Sequence, residues 1–253
     1  MKLELLRPTV TPINDHVWLL NDRDMATCYV VAGRERAMVI DTMMGFVDVR
    51  REAEALTGLP LICVNTHGHG DHIGGNWAFD SAYLHPADLP VAEWFLNLPE
   101  VQEAVRENGL TFPPFRPVED RQVFDLGGLE LEAWHLPGHT PGGVVLLDRA
   151  DRILFTGDAI IEHLWMQLEE SLPLPALISG LERLRPLRGD YDVILHGHAR
   201  GPTEADLYDT LLAAAIELEG GHTEGDEDYT WHGGTCRAHP YGNGPRKIVY
   251  NAV

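Results

Sequence analysis

Thr66-His67-Gly68-His69-Gly70-Asp71-His72-Ile73-Gly74-Gly75 sets three histidines and an aspartate within six residues and surrounds them with glycine. Imidazoles packed this closely gain nothing in an apolar core. Each carries a ring nitrogen that needs a partner, and any protonated pair repels. A metal cation removes both difficulties. His67 and His69, two residues apart, point to one side of extended backbone, and Asp71 and His72 continue around the turn, where they can serve a second ion. The preceding run, LICVN, reads as a short buried strand, so the cluster lies where a strand empties into a loop.

Three further strand-like runs end in the same way. LEAWHLPG leads to His139 in GHTPGG, RILFTG leads to Asp158, and DVILHG leads to His198. Five histidines and two aspartates are too many for one tetrahedral ion and suit two. Imidazole nitrogen with carboxylate oxygen favours zinc, with iron and manganese as the other candidates.

H-x-H-x-D-H, then a GHTPGG histidine, a TGD aspartate and a GH histidine, resembles in content and order the signature of the metallo-β-lactamase fold superfamily. The resemblance covers residues 15–215 and implies an α/β fold, an αββα four-layer sandwich with metals at one edge. It also implies ligand roles: His67, His69 and His139 for a first ion, Asp71, His72 and His198 for a second, and Asp158 bridging the pair together with a hydroxide. Asp71, beside that hydroxide, is the expected catalytic group that orients it or takes its proton. Asp41 in MVIDT matches an aspartate that orients the ligands. Met43-Met44 stand where the family's glycine is expected, which allows that loop a different shape.

The subclass follows from the same comparison. β-Lactamases of this fold generally lack the bridging aspartate, so Asp158 argues against antibiotic hydrolysis. Flavodiiron proteins carry Glu where this chain has His69, and nucleases add an inserted domain and basic surface. The expected reaction is therefore hydrolysis of an ester or thioester, as in glyoxalase II, with lactone and then phosphodiester hydrolysis as alternatives. A mononuclear iron sulfur dioxygenase is the rival from another class.

The remaining sequence fits this reading. The chain has 253 residues and a formal charge of −20, which argues against nucleic acid or an anionic membrane as partner. It leaves a small-molecule substrate, and a homodimer is compatible. The first fifteen residues lack a signal-peptide pattern, no run is long enough to span a membrane, and Cys28, Cys63 and Cys236 form no disulfide framework. The expectation is a cytoplasmic protein with buried, inert thiols at Cys28 and Cys63.

HVWLLND and ATCYVVAGRERAMVIDT read as strands, the second as a hairpin around GRER. FVDVRREAEALTG, residues 87–108, LPALISGLERLRPL and TEADLYDTLLAAAIELEGG read as helices, the last opening at Thr203 with Asp206 as a capping box. QVFDLGGLELEAWHL and GGVVLLDRADRILFTGD read as hairpins. TFPPFRPVED reads as a surface loop. Residues 1–220 form the expected catalytic domain and 221–253 a loop-rich tail packed on it. In that tail His232, His239, Tyr241, Arg246 and Lys247 match no thioesterase substrate-binding pattern well enough to receive roles. His196 and His135 are expected to be non-ligands, and His85 a helix-start residue. Trp94, Phe95, Trp165 and Met166 are core residues by default, with a groove as the alternative.

Overall fold

A computed structural model describes residues 4–231 and 234–251. The first sheet takes its strands in chain order: β1 (Thr9–Pro12), β2 (Val17–Asn21), β3 (Thr27–Ala32), β4 (Ala37–Ile40), β5 (Leu61–Val64), β6 (Ala82–Leu84) and β7 (Phe115–Pro117). Its first four strands pair antiparallel, and β4 to β7 run parallel. The second sheet contains β8 (Val123–Asp125), β9 (Glu130–His135), β10 (Val144–Asp148) and β11 (Ile153–Gly157). The chain then leaves it for β12 (His163–Trp165) and returns as β13 (Val193–His196), which lies parallel to β11, and the short edge strand β14 (Thr203–Glu204).

Side-chain parity creates the layers. Val17, Leu19, Tyr29, Val31, Met38 and Ile40 point at Leu131, Ala133, Val144, Leu146 and Phe155 of the second sheet, forming the central core. Their sequence neighbours Cys28, Val30, Ala37 and Val39 face the other way, onto Val49 and Ala53 of α1 (Val49–Thr57). On the far side of the second sheet Trp134, Val145, Leu147 and Leu154 pack on the helices that follow β12 and β14. Both faces of these strands are apolar and buried, so a slip of one residue would cost through mispacking, each side chain meeting a layer shaped for its neighbour. The four-layer αββα order follows.

The helices are α1, the single turn α2 (Gly70–Ile73), α3 (Leu89–Leu96), α4 (Pro99–Asn108), α5 (Leu174–Leu184) and α6 (Asp206–Glu219). In α1 the Asp48 carboxylate accepts from the Arg51 amide, and Gly58 closes the helix with left-handed backbone.

Three expectations are corrected. The proline-rich stretch at 111–120 contains β7, which pairs with β6 at the sheet edge, where proline is tolerated. Thr203 is a strand residue paired with Ile194, and α6 starts after Ala205 without a side-chain cap. Tertiary pairing displaced the capping box. The tail is not loop-rich among its described residues: β15 (Glu227–Trp231), β16 (Gly234–Pro240) and β17 (Lys247–Tyr250) join β12 in a third sheet, ordered β12-β17-β16-β15. Its anchoring partner lies some 80 residues upstream, so no local pattern announces it. His232 lies outside the described residues. Cys28 and Cys63 are buried free thiols, as expected, and burial raises both thiol pKa values.

Candidate metal centre

The ligand candidates hang from the C-terminal ends of strands in both sheets. β4 leads to Asp41, β5 runs into His67–His72, β9 leads to His139, β11 to Asp158 and β13 to His198. Two glycines make the convergence feasible. A Cβ on Gly157, which has φ +49°, would lie 2.2 Å from Thr66 Oγ1. One on Gly197 would lie 2.2 Å from Asp158 Oδ1 and 2.6 Å from His72 Cε1. Either side chain would fill the space in which the loops meet.

His67 Nε2 and His139 Nε2 each lie 3.0 Å from His69 Nδ1. The outer nitrogen of each ring identifies its tautomer. His139 Nδ1–H donates to the Trp165 carbonyl at 2.7 Å, and His69 Nε2–H donates to Glu170 Oε1 at 2.5 Å. Thr66 Oγ1 gives its proton to Asp41 Oδ2 at 2.7 Å and therefore accepts from His67 Nδ1–H at 3.1 Å. The three inner nitrogens are thus bare lone pairs aimed at one point, an arrangement that repels unless a cation sits there.

The second group is more acidic. His72 Nδ1–H donates to Asp41 Oδ2 at 2.8 Å, and His198 Nδ1–H donates to the Met25 carbonyl at 2.7 Å. Their Nε2 atoms face carboxylates: His72 lies 3.6 Å from Asp71 Oδ2 and 3.5 Å from Asp158 Oδ1, and His198 lies 3.4 Å from Asp71 Oδ2 and 3.2 Å from Asp158 Oδ2. Asp158 Oδ2 is also 3.9 Å from His139 Nε2, so this one carboxylate touches both groups. His72 Nε2 and Asp158 Oδ1 are buried without a hydrogen-bond partner. A buried donor set with orphaned atoms between carboxylates suits a metal ion.

The electrostatics separate the groups. Burial, together with the neighbouring imidazoles, pushes His67 well below its ordinary range and His139 down to about 4. Burial also opposes charge on His72, but Asp71, Asp158 and Asp41 outweigh it and raise His72 to about 10. Asp158 likewise overcomes burial at His198 and raises it to about 9. Burial raises the Asp158 carboxyl, yet His198 and His72 hold it well below the carboxylate range. The second group calls for positive charge.

All seven predicted residues converge, forming three interlocked sets: His67, His69 and His139; His67, His72 and Asp158; Asp71, His72 and His198. Asp41 ties Thr66, His67's neighbour, to His72. It does so in left-handed backbone at φ 62°, and Met43, in the loop where glycine is expected, has φ 58°. His196 is buried, is held down to about 4 by that burial, and joins none of the three sets. His85 accepts from the Ala87 amide at a helix start.

Two supports escaped the sequence reading. Glu170 is one. The other is Asp88, a buried carboxylate that accepts from the Gly68 amide, the Gly142 amide and the Thr140 hydroxyl, joining the two histidine loops.

A groove of about 660 Å³ opens onto His69, Asp71, His139 and Asp158. Pro90, Val91, Trp94, Trp165, Leu168 and Trp231 give it an apolar lining. Trp94 is 69% exposed, so here the groove reading prevails over the core. Met166 is buried in the core, and Phe95 packs against Gly70 beneath the groove.

The description "Metallo-beta-lactamase superfamily" belongs to a family whose pattern matches residues 21–198. Acyl-coenzyme A thioesterase MBLAC2 of Homo sapiens is 29% identical over 223 residues, covering 74% of this chain and 79% of its own. The probable metallo-hydrolase YybB of Bacillus subtilis is 32% identical over 170 residues, covering 63% and 67%. In structure, the metallo-beta-lactamase from Pontibacter korlensis superposes with a TM-score of 0.65 at 20% identity, covering 83% of this chain and 99% of its own. The order of the motifs, the αββα layers that carry them and these matches give one conclusion: the chain belongs to the metallo-β-lactamase superfamily and is one of its hydrolases.

Proposed function

We propose that the seven side chains hold two divalent ions, zinc first among the candidates, and that the protein hydrolyses an acyl thioester or ester. One observation carries the metal half of this reading: the three inner imidazole nitrogens converge bare, each ring's proton being committed elsewhere. The thioester half is supported by the similarity to a protein named as an acyl-coenzyme A thioesterase and by the apolar groove.

Two such ions supply an acidified water and polarise the acyl oxygen. The protein supplies the rest. Asp158 spans both groups and fixes their separation. Asp71, whose carboxylate faces His72 and His198, would orient the attacking water, take its proton and return it to the departing thiolate or alkoxide. Trp94, Trp165 and Leu168 offer an apolar seat for an acyl chain, desolvating it at roughly 25 cal/mol per Å².

Protein purified without chelator should carry two metal equivalents by elemental analysis, and acyl thioesters should lead a panel that includes esters, lactones and phosphodiesters. A ceiling of one ion under metal excess would end the dinuclear reading. Preference for a lactone or phosphodiester would move the substrate class. Iron content with oxygen uptake on a persulfide would replace hydrolysis by sulfur oxidation.

A further inference from the structure

Residues 165–172 form a strap between the third sheet and the metal centre. At one end the strap is sewn to the C-terminal strands: β12 pairs with β17, the Met166 amide donates to the Val249 carbonyl, and Asn251 Nδ2 donates to the Gln167 carbonyl. At the other end it grips the centre. The Trp165 carbonyl takes His139 Nδ1–H, the Ser171 hydroxyl donates to the His139 carbonyl, the Leu172 amide donates to the Gly138 carbonyl, and Glu170 takes His69 Nε2–H.

His69 is the ring that most needs such a partner. The other four histidines have their outer nitrogens held by groups of the chain's backbone or by buried oxygens. His69 alone turns Nδ1 inward, and its Nε2 faces the groove wall, where water accepts or donates and so selects neither tautomer. A carboxylate can only accept. Glu170 therefore forces the proton onto Nε2, keeps Nδ1 bare and makes it a stronger donor to a cation.

We infer that Glu170 is a positioning residue for the first ion, and that through the strap the C-terminal sheet sets the geometry of His69 and His139. The inference rests on the metal-centre reading above, and its test separates the two. Zinc dissociation constants of the full chain are measured by competition with a chromophoric chelator, alongside the melting temperature of the metal-free protein.

Glu170→Ala is expected to weaken one of the two zinc sites by about 10–100-fold and leave the other site and the metal-free melting temperature unchanged. Glu170→Gln retains an acceptor but loses the charge and can turn its amide, so it falls between wild type and Glu170→Ala. Retention of both constants within about twofold in both variants overturns the inference. So does loss at both sites together with a lower metal-free melting temperature, which marks a structural role. A wild-type chain that takes up no zinc overturns the metal-centre reading beneath it.

Discussion

Five histidines crowd at the strand ends with their inner nitrogens converging, whereas His85 and His135 lie ring on ring, centroids 4.1 Å apart and planes 8° from parallel. Both groups are local concentrations of imidazole, and proximity alone does not tell them apart. In the stacked pair His85 Nδ1 accepts from the Ala87 amide and His135 Nε2–H donates to the Pro141 carbonyl, so the nitrogens turn toward backbone and share no focus. In the crowded group every outer nitrogen is occupied and the inner ones meet each other, Asp71 and Asp158. A cation site is marked by where the protons are forced to go.

The largest test of that contrast is Asp158→Ala. Losing the carboxylate that touches both groups should reduce metal content below two equivalents and lower turnover by about two to four orders of magnitude, with far-ultraviolet dichroism unchanged. Full metal and full turnover would show that convergence is not the organising feature.

Next comes the pair His198 and His196. His198→Ala should loosen the second ion and cut activity by about a hundredfold or more, while His196→Ala should keep both ions and cost about 1–3 kcal/mol of stability as a buried side chain. Metal titration of the two variants reads the order, and the reverse order breaks the distinction.

Chelation should lower the melting temperature by about 5–10 °C, since an ion at a hundredfold excess over its dissociation constant contributes about 2.7 kcal/mol. The His85→Gln variant should respond to chelator like wild type.

The smallest effect belongs to the stacked pair. Burial and His135 push His85 down to about 4 from an ordinary 6.5. Between those values the unfolded chain binds a proton that the folded chain does not, so this contribution is complete above pH 6.5 and is lost as pH falls toward 4. His85→Gln should flatten the acid limb of the melting curve by about 1–2 °C. A steeper limb would contradict the sign.

The seven convergent residues were readable because their chemistry is written in side-chain type and in short spacings beside strand ends. The layers came through the family resemblance: Cys28–Val31 and Ala37–Ile40 are apolar at every position, and only the fold decides which residue faces which layer. Glu170 and Asp88 were not readable. Glu170 meets His69 across 101 residues, and Asp88 meets Gly142 across 54, so their roles exist only after folding. Pairing likewise decided β7, Thr203 and the C-terminal strands, each against a local signal of loop or cap. The tryptophan groove was left open in the sequence because core and surface tryptophans share the same letter.

Asp88 carries one more consequence. Its three bonds close the loop of His67–His72 onto the loop of His139. One protein carboxylate therefore holds the two loops in register with each other. A single substitution at Asp88, which is none of the seven convergent residues, would free both loops at once and so reach His67, His69 and His139 together.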